Sequence, residues 1–176
     1  MYNRISNHEA EAKTMSAAQA AELIKDGMTV GTSGFTMAGY PKAVPMALAR
    51  RAERGEKIRI KLITGASVGD ELDGRLARAG VIERRYPYQT NQSVRELAND
   101  DRLAYVDMHL SQVPFWIKNG YFGKIDIAII EAIGIDDEGN EIVETIECTV
   151  TVKEIQKKVA PVIDDAWVAK FMPMYK

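Results

Sequence analysis

Cysteine occurs once in these 176 residues, at Cys148, and histidine twice, at His8 and His109. A single thiol excludes an intrachain disulfide and a cysteine-rich metal cluster, and two imidazoles leave too few nitrogens for a zinc site. An excess of charge is also missing, since 23 Lys and Arg stand against 25 Asp and Glu. The resulting net charge of −2 offers no electrostatic footprint for nucleic acid or for an anionic membrane. The longest mainly apolar stretch, Ile125 to Ile135, is interrupted by Asp126 and Glu131 and is far shorter than a bilayer span. The amino end, MYNRISNHEAEAK, lacks the apolar centre of a signal peptide, so a cytoplasmic protein is the expectation. Internal repeats and low-complexity linkers are absent, and the length suits one domain able to bury a sizeable core.

What is present is an alternation of strand and helix patterns. Ser16-Ala-Ala-Gln19 has the form of a capping box and opens a helix that Gly27 can end. A first strand is expected over Met28–Thr32, and a helix from Pro41 to about Ala52 with cations at its carboxyl end. Ile58–Thr64 alternates apolar and basic residues as a half-covered strand does, and Asp70–Ala79 reads as a helix. Short strands over Val81–Arg84 and Ala104–Val106 and short helices over Ser93–Ala98 and Val113–Lys118 follow. Ile125–Ile130 is apolar on both sides apart from Asp126, the pattern of a central parallel strand buried on two faces. Residues 135–142 read as a turn between two short strands. Repeated βα units predict an α/β fold with an open, mostly parallel sheet and helices on both faces. The expected organisation is a polar arm over 1–15, the α/β domain over 16–144, and a divergent, helical tail over 145–176 that packs on it, with Asp164-Asp165 capping a last helix.

The stretch DGMTVGTSGFTMAGYP, Asp26 to Pro41, runs a strand into Gly31, Gly34 and Gly39 and then into a proline suited to a first helical turn. Its spacing meets neither G-x-G-x-x-G nor G-x-x-x-x-G-K-[ST]. A loop of this kind permits close approach to backbone N–H groups, which suit a carboxylate or a developing oxyanion, although a tight strand-to-helix turn alone would also need the glycines. Gly65-Ala-Ser-Val-Gly69 satisfies G-x-S-x-G after an expected strand, which raises a serine esterase. Its only later histidine is His109, with Asp107 two residues earlier, a poor arrangement for a triad. Asp107 and His109 as a metal pair lack a third ligand, so no metal is expected. Glu131 ends a strand and either caps the next turn or acts as a base. The run Arg50, Arg51, Arg54, Lys57, Arg59 and Lys61 reads as solvated surface, with contact to phosphates as the sharper alternative.

The residues Asp26-Gly27, Gly34-Phe35, Gly39 and Pro41 fall in register with the first signature of the family I CoA-transferases, with Ser33 in place of its first glycine. SGFT-x-AG-x-PK is similar to the acetyl-CoA hydrolase/transferase branch, which includes succinyl-CoA:acetate and propionyl-CoA:succinate CoA-transferases. Leu62–Ser67, Tyr86–Thr90, Val106–Ser111 and Gly123–Ala132 resemble the same branch in the same order, carrying the likeness from about Met15 to about Val143. The resemblance implies an N-terminal-half fold, acyl-CoA as the coenzyme A-bearing substrate, and a carboxylate partner substrate. It also implies that Ser67 and Thr90 line the carboxylate pocket and that Gly34, Phe35, Thr36 and Gly39 form its loop. In that family a glutamate in the C-terminal half attacks the thioester to give a mixed anhydride, and coenzyme A thiolate returns to form a glutamyl thioester. That segment lies outside this sequence, so the expectation is a chain with no catalytic residue of its own, inactive without a companion chain or the missing half. For Ser67 and Thr90 the competing reading is a helix cap. The competing function is a relic, or a non-catalytic binding or assembly module that uses Trp167, Phe171 and Met174 as its face, as a homo-oligomer or with another subunit.

Overall fold

In a computed structural model of the chain, residues 4–142 are described. The chain divides into two compact units, Met1–Glu144 and Thr145–Lys176, and all that follows concerns the first. Expectations for Asp164, Trp167, Phe171, Met174 and the rest of 145–176 lie outside the described residues.

Two short helices lead in, α1 (His8–Ala12) and α2 (Ala17–Glu22). The expected capping box at α2 is present in both halves, with Ser16 Oγ accepting from Gln19 N–H and Gln19 Oε1 accepting from Ser16 N–H. Then come β1 (Thr29–Thr36), α3 (Ala43–Glu53), β2 (Ile60–Ser67), one turn of π-helix over Asp70–Gly74 running into α4 (Arg75–Arg78), β3 (Ile82–Tyr86), α5 (Gln92–Asn99) and β4 (Ala104–Tyr105). A 3₁₀ turn at Leu110–Gln112 precedes α6 (Val113–Lys118), β5 (Ile127–Ile129) and a small antiparallel pair, β6 (Gly134–Ile135) with β7 (Glu141–Ile142). The main sheet has the order β4-β3-β2-β1-β5, and every neighbouring pair in it is parallel. That is the doubly covered α/β sheet which the alternating pattern implies.

The two faces of the sheet are covered unequally. On one face Val30, Ile60, Leu62 and Ile82 pack with Ala21, Ile24, Leu48, Leu72, Leu76 and Val94 from the helical layer, forming the larger core. On the other, Ile63 and Tyr86 pack with Val113 of α6 and Phe122, and Trp116 and Ile117 lie against them. This thinner layer leaves a groove of about 380 Å³ whose walls include Gly31, Ile63, Val113, Ile117, Ala128 and Ile130.

Three sequence expectations change. The strand around Ile125–Ile130 is not central: β5 pairs only with β1 among the described residues and forms an edge of the sheet. Ile127 and Ile129 pack on the main core, whereas Ala128 and Ile130 face the open groove, so its two-sided apolar pattern reflects one covered face and one uncovered face. The helix after the glycine loop starts at Ala43, not at Pro41, because the chain first continues β1 through Thr36 and closes a tight turn between Phe35 and Ala38 with two backbone hydrogen bonds. Arg51 is not surface: it is buried, and its guanidinium donates to the carbonyls of Ala21 and Ile24 at the end of α2 and to the Glu56 carboxylate. These are the carbonyls a helix end leaves unsatisfied, and a buried arginine supplies the donors.

Candidate functional site

The ends of β1, β2 and β3 point their loops to one rim, the place where open parallel sheets gather ligands. On β1, Ser33 and Gly34 form a bulge, since the pairing with β2 shifts between Thr32 and Phe35. Ser33 Oγ donates to the Gly39 carbonyl at 2.7 Å and accepts from Glu131 N–H at 2.9 Å, which ties the loop to the end of β5. Phe35, Thr36 and Gly39 are exposed at the tip. Thr36 has φ of 53°, a conformation that a β-branched residue adopts only under constraint, and its carbonyl accepts from Val68 N–H at 3.0 Å. The tip of the first loop is thereby fastened to the second.

Tyr40 and the Gly34 backbone account for three of the glycines in the two motifs. A Cβ on Gly69 would lie 2.2 Å from the Tyr40 ring, one on Gly34 2.7 Å from the Tyr40 Cβ, and one on Gly65 2.6 Å from the Gly34 carbonyl oxygen. Gly65 and Gly69 of the G-x-S-x-G stretch are therefore contact glycines between two loops. Of the first loop's glycines, Gly39 has open space around its missing Cβ and a φ of +63°, so it serves the turn itself. The Tyr40 hydroxyl donates to Glu71 Oε2 at 2.6 Å. That bond, burial and the Glu71 charge push the phenol up to about 12, and the same bond holds the Glu71 carboxyl below its usual range. Beside it Lys42 Nζ sits 2.7 Å from Glu131 Oε1 and 4.3 Å from the centre of the Tyr40 ring. Glu131 thus ends in an ion pair at the rim.

Ser67, the last residue of β2, is fully buried and donates its hydroxyl to Asp73 Oδ2 at 2.8 Å. Asp73 Oδ1 accepts from Arg85 Nε at 2.8 Å and from Gln89 Nε2 at 2.9 Å. Arg85 completes itself through Thr64 Oγ1 at 2.8 Å, the Ser67 carbonyl at 3.0 Å and the Tyr86 carbonyl. Neither Asp73 nor Arg85 has any exposed surface. Burial pushes the Asp73 carboxyl upward, and the Arg85 charge with the hydrogen bonds from Ser67, Arg85 and Gln89 opposes that push. Thr90 is exposed on the same segment as Gln89, and the cap of α5 is its neighbour Asn91. Neither Ser67 nor Thr90 is a helix cap.

The structure thus sets Thr36 in register with Ser67 and Phe35 with Ala66, packs the bulged Gly34 against Ser67, and links Thr90 to Ser67 through Gln89 and Asp73. It does not assemble an esterase triad: Ser67 is bonded to Asp73, while His109 is exposed with Nδ1 2.8 Å from Ser111 Oγ. Asp107 and His109 do not share a strand, since β4 ends at Tyr105 and His109 caps the 3₁₀ turn. Among the described residues, no group of three or more His, Cys, Asp or Glu side chains is placed to hold a metal ion. No described helix is long and apolar enough to cross a membrane. Sequence reasoning missed Asp73, Arg85 and Gln89. The available signal was Arg84-Arg85 on a short strand, because alternation sends one of two consecutive arginines to each face of a sheet.

Comparison with known proteins places the chain in one family. The family model for the acetyl-CoA hydrolase/transferase N-terminal domain matches residues 2–171, a stretch that extends past Thr145. The chain is 45% identical over 165 residues to a succinyl-CoA:acetate CoA-transferase of Clostridium kluyveri, covering 93% of this chain and 31% of that protein. It is 42% identical over 135 residues to the propanoyl-CoA:succinate CoA transferase of Escherichia coli, covering 74% of this chain and 27% of that one. An acetyl-CoA hydrolase of Schizosaccharomyces pombe is 39% identical over 147 residues, 78% of this chain and 28% of its own length. Among solved structures, RipA from Yersinia pestis shares the fold with a TM-score of 0.53 at 21% identity, over 68% of this chain and 29% of that one. The chain spans less than a third of the length of these curated relatives. It belongs to the acetyl-CoA hydrolase/transferase family and carries that family's N-terminal domain.

Proposed function

We propose that this chain forms the carboxylate-substrate side of an acyl-CoA:carboxylate CoA-transferase or acetyl-CoA hydrolase site, with Gly34, Phe35, Thr36, Gly39, Ser67 and Thr90 as its rim. The observation that carries this reading is the fastening of the two glycine loops to each other at the carboxyl ends of parallel strands, through the bond from Val68 N–H to the Thr36 carbonyl. In the described conformation Ser67 supports the rim from below, and the exposed rim residues are Phe35, Thr36, Gly39 and Thr90. Acyl-CoA is the substrate that brings the coenzyme. The thioester-attacking glutamate implied by the family comes from outside these residues, on a companion chain or a further segment, so the chain alone does not turn over.

The test is a tagged-chain pull-down from extract of its own cells, followed by an assay of coenzyme A transfer from acyl-CoA to acetate and succinate. Transfer that requires a stoichiometric partner supports the reading. Turnover by the purified single chain that depends on Ser67 rejects it. A second reading, an assembly module without chemistry, is favoured by the apolar groove beside β5. It gains if a partner is captured and no transfer accompanies it.

A further inference from the structure

A carboxylate and a guanidinium with no exposed surface need a reason beyond stability, because a well-packed apolar pair of the same volume often serves a fold as well. The partners of this pair are unusually concentrated. Apart from the bond between them, each side-chain hydrogen bond of Asp73 or Arg85 ends on the last four residues of β2, at Thr64 or Ser67, or on the end of β3 and the segment after it, at Tyr86 or Gln89. These are the two stretches that lead to Ser67 and to Thr90. Gln89 also relays the constraint forward, since its Oε1 accepts from Asn91 N–H and Asn91 in turn caps α5 with Oδ1 while its Nδ2 donates to the Val68 carbonyl at 3.4 Å.

We propose that Asp73 is a positioning residue: its carboxylate takes one donor from Ser67 and another from Gln89, locking the β2 loop and the Thr90 segment at one spacing, with Arg85 holding the carboxylate between them. The role rests on the carboxylate-site reading above for its purpose, and on geometry alone for its existence. Ser67 has a single proton, and it is given to Asp73, so the hydroxyl functions as the tether of its loop. The exposed Thr90 hydroxyl and the Thr36 tip then face a bound carboxylate at a distance set by a network that the ligand never touches.

The test uses the full chain with labelled backbone amides, acetate as probe, and the variants S67A, Q89A and D73N. S67A and Q89A each remove one bond to Asp73 and leave the Asp73–Arg85 pair intact, so both remain informative if D73N does not fold. The expected result is reciprocal: S67A moves the amide signal of Thr90, and Q89A moves those of Val68 and Gly69. In a folded D73N background both long-range shifts disappear. Q89A also weakens acetate binding by about tenfold, by analogy with the low end of the loss seen when a group that orients a metal ligand is removed. Folded S67A and Q89A proteins whose shifts stay local, or a Q89A protein with both shifts and affinity unchanged, overturn the proposal. A wild-type chain that binds no acetate, with the reciprocal shifts present, upholds Asp73 as the tether and rejects the carboxylate reading of the rim.

Discussion

At the scale of single residues, Tyr40 does more than any motif glycine suggests. It lies between two loops and packs against one glycine of each, Gly34 and Gly69, so those two glycines are testable through it. Gly69→Ala would place a methyl 2.2 Å from the ring, and overpacking of this kind costs about 1–3 kcal/mol. We expect denaturant unfolding to show that loss, and Tyr40→Ala in the same chain to make the second change nearly free, since the clashing atoms are gone. The phenol gives an independent signal. Pushed up to about 12, it lies above the ordinary tyrosine value of 10.0, so the stabilisation from the protonated phenol is complete below pH 10 and is lost as pH rises toward 12. The carboxyl of Glu71 is shifted the other way, so its contribution is complete above its ordinary range and fades in acid. An ultraviolet phenolate titration should contain a component near pH 12 that Tyr40→Phe removes. A wild-type curve without that component would show that the bond to Glu71 is not held in solution.

At the scale of elements, what the sequence made legible was whatever is decided locally. The α2 capping box needs only residues 16 to 19, and it forms as the pattern states. Ser16→Ala should therefore cost about 1 kcal/mol in chemical unfolding, the usual value of a lost N-cap. The order of strands and helices follows from apolar periodicity, and it too was readable. Three features were not, because each depends on contacts between distant segments. β1 runs on to Thr36 because Ser33 finds partners at Gly39 and Glu131, the second of them 98 residues away. Arg51 belongs to an apparently solvated basic run, yet carbonyls at the end of α2 draw it inside. The G-x-S-x-G stretch fits a nucleophile turn in sequence, but its serine is spent on Asp73, and no single-segment pattern reveals that acceptor. Of the candidate rim, the glycine loop and Thr90 were legible as stretches at the carboxyl ends of strands, while the tether that spaces them was hidden in ordinary-looking residues.

At the scale of the whole molecule, the uneven covering of the sheet is the feature that connects fold to function. β5 has the apolar pattern of a strand covered on both faces, yet among the described residues Ala128 and Ile130 face a groove and Ile130 remains 56% exposed. Exposed apolar surface next to an unpaired strand edge favours association. The relatives are more than three times as long as the portion this chain matches, so in them other parts of the polypeptide are available to cover such a face. Ile130→Lys separates folding from assembly. Because the side chain is largely exposed, unfolding of the isolated chain should stay within about 0.5 kcal/mol of wild type, whereas a charge placed in a buried apolar interface resists association strongly. The expected outcome is an unchanged unfolding midpoint together with loss of the captured partner and of any coenzyme A transfer that requires it. An unchanged midpoint with partner capture and transfer intact would place the companion elsewhere. A lowered midpoint in the isolated chain would instead show that this face is already covered within the chain itself.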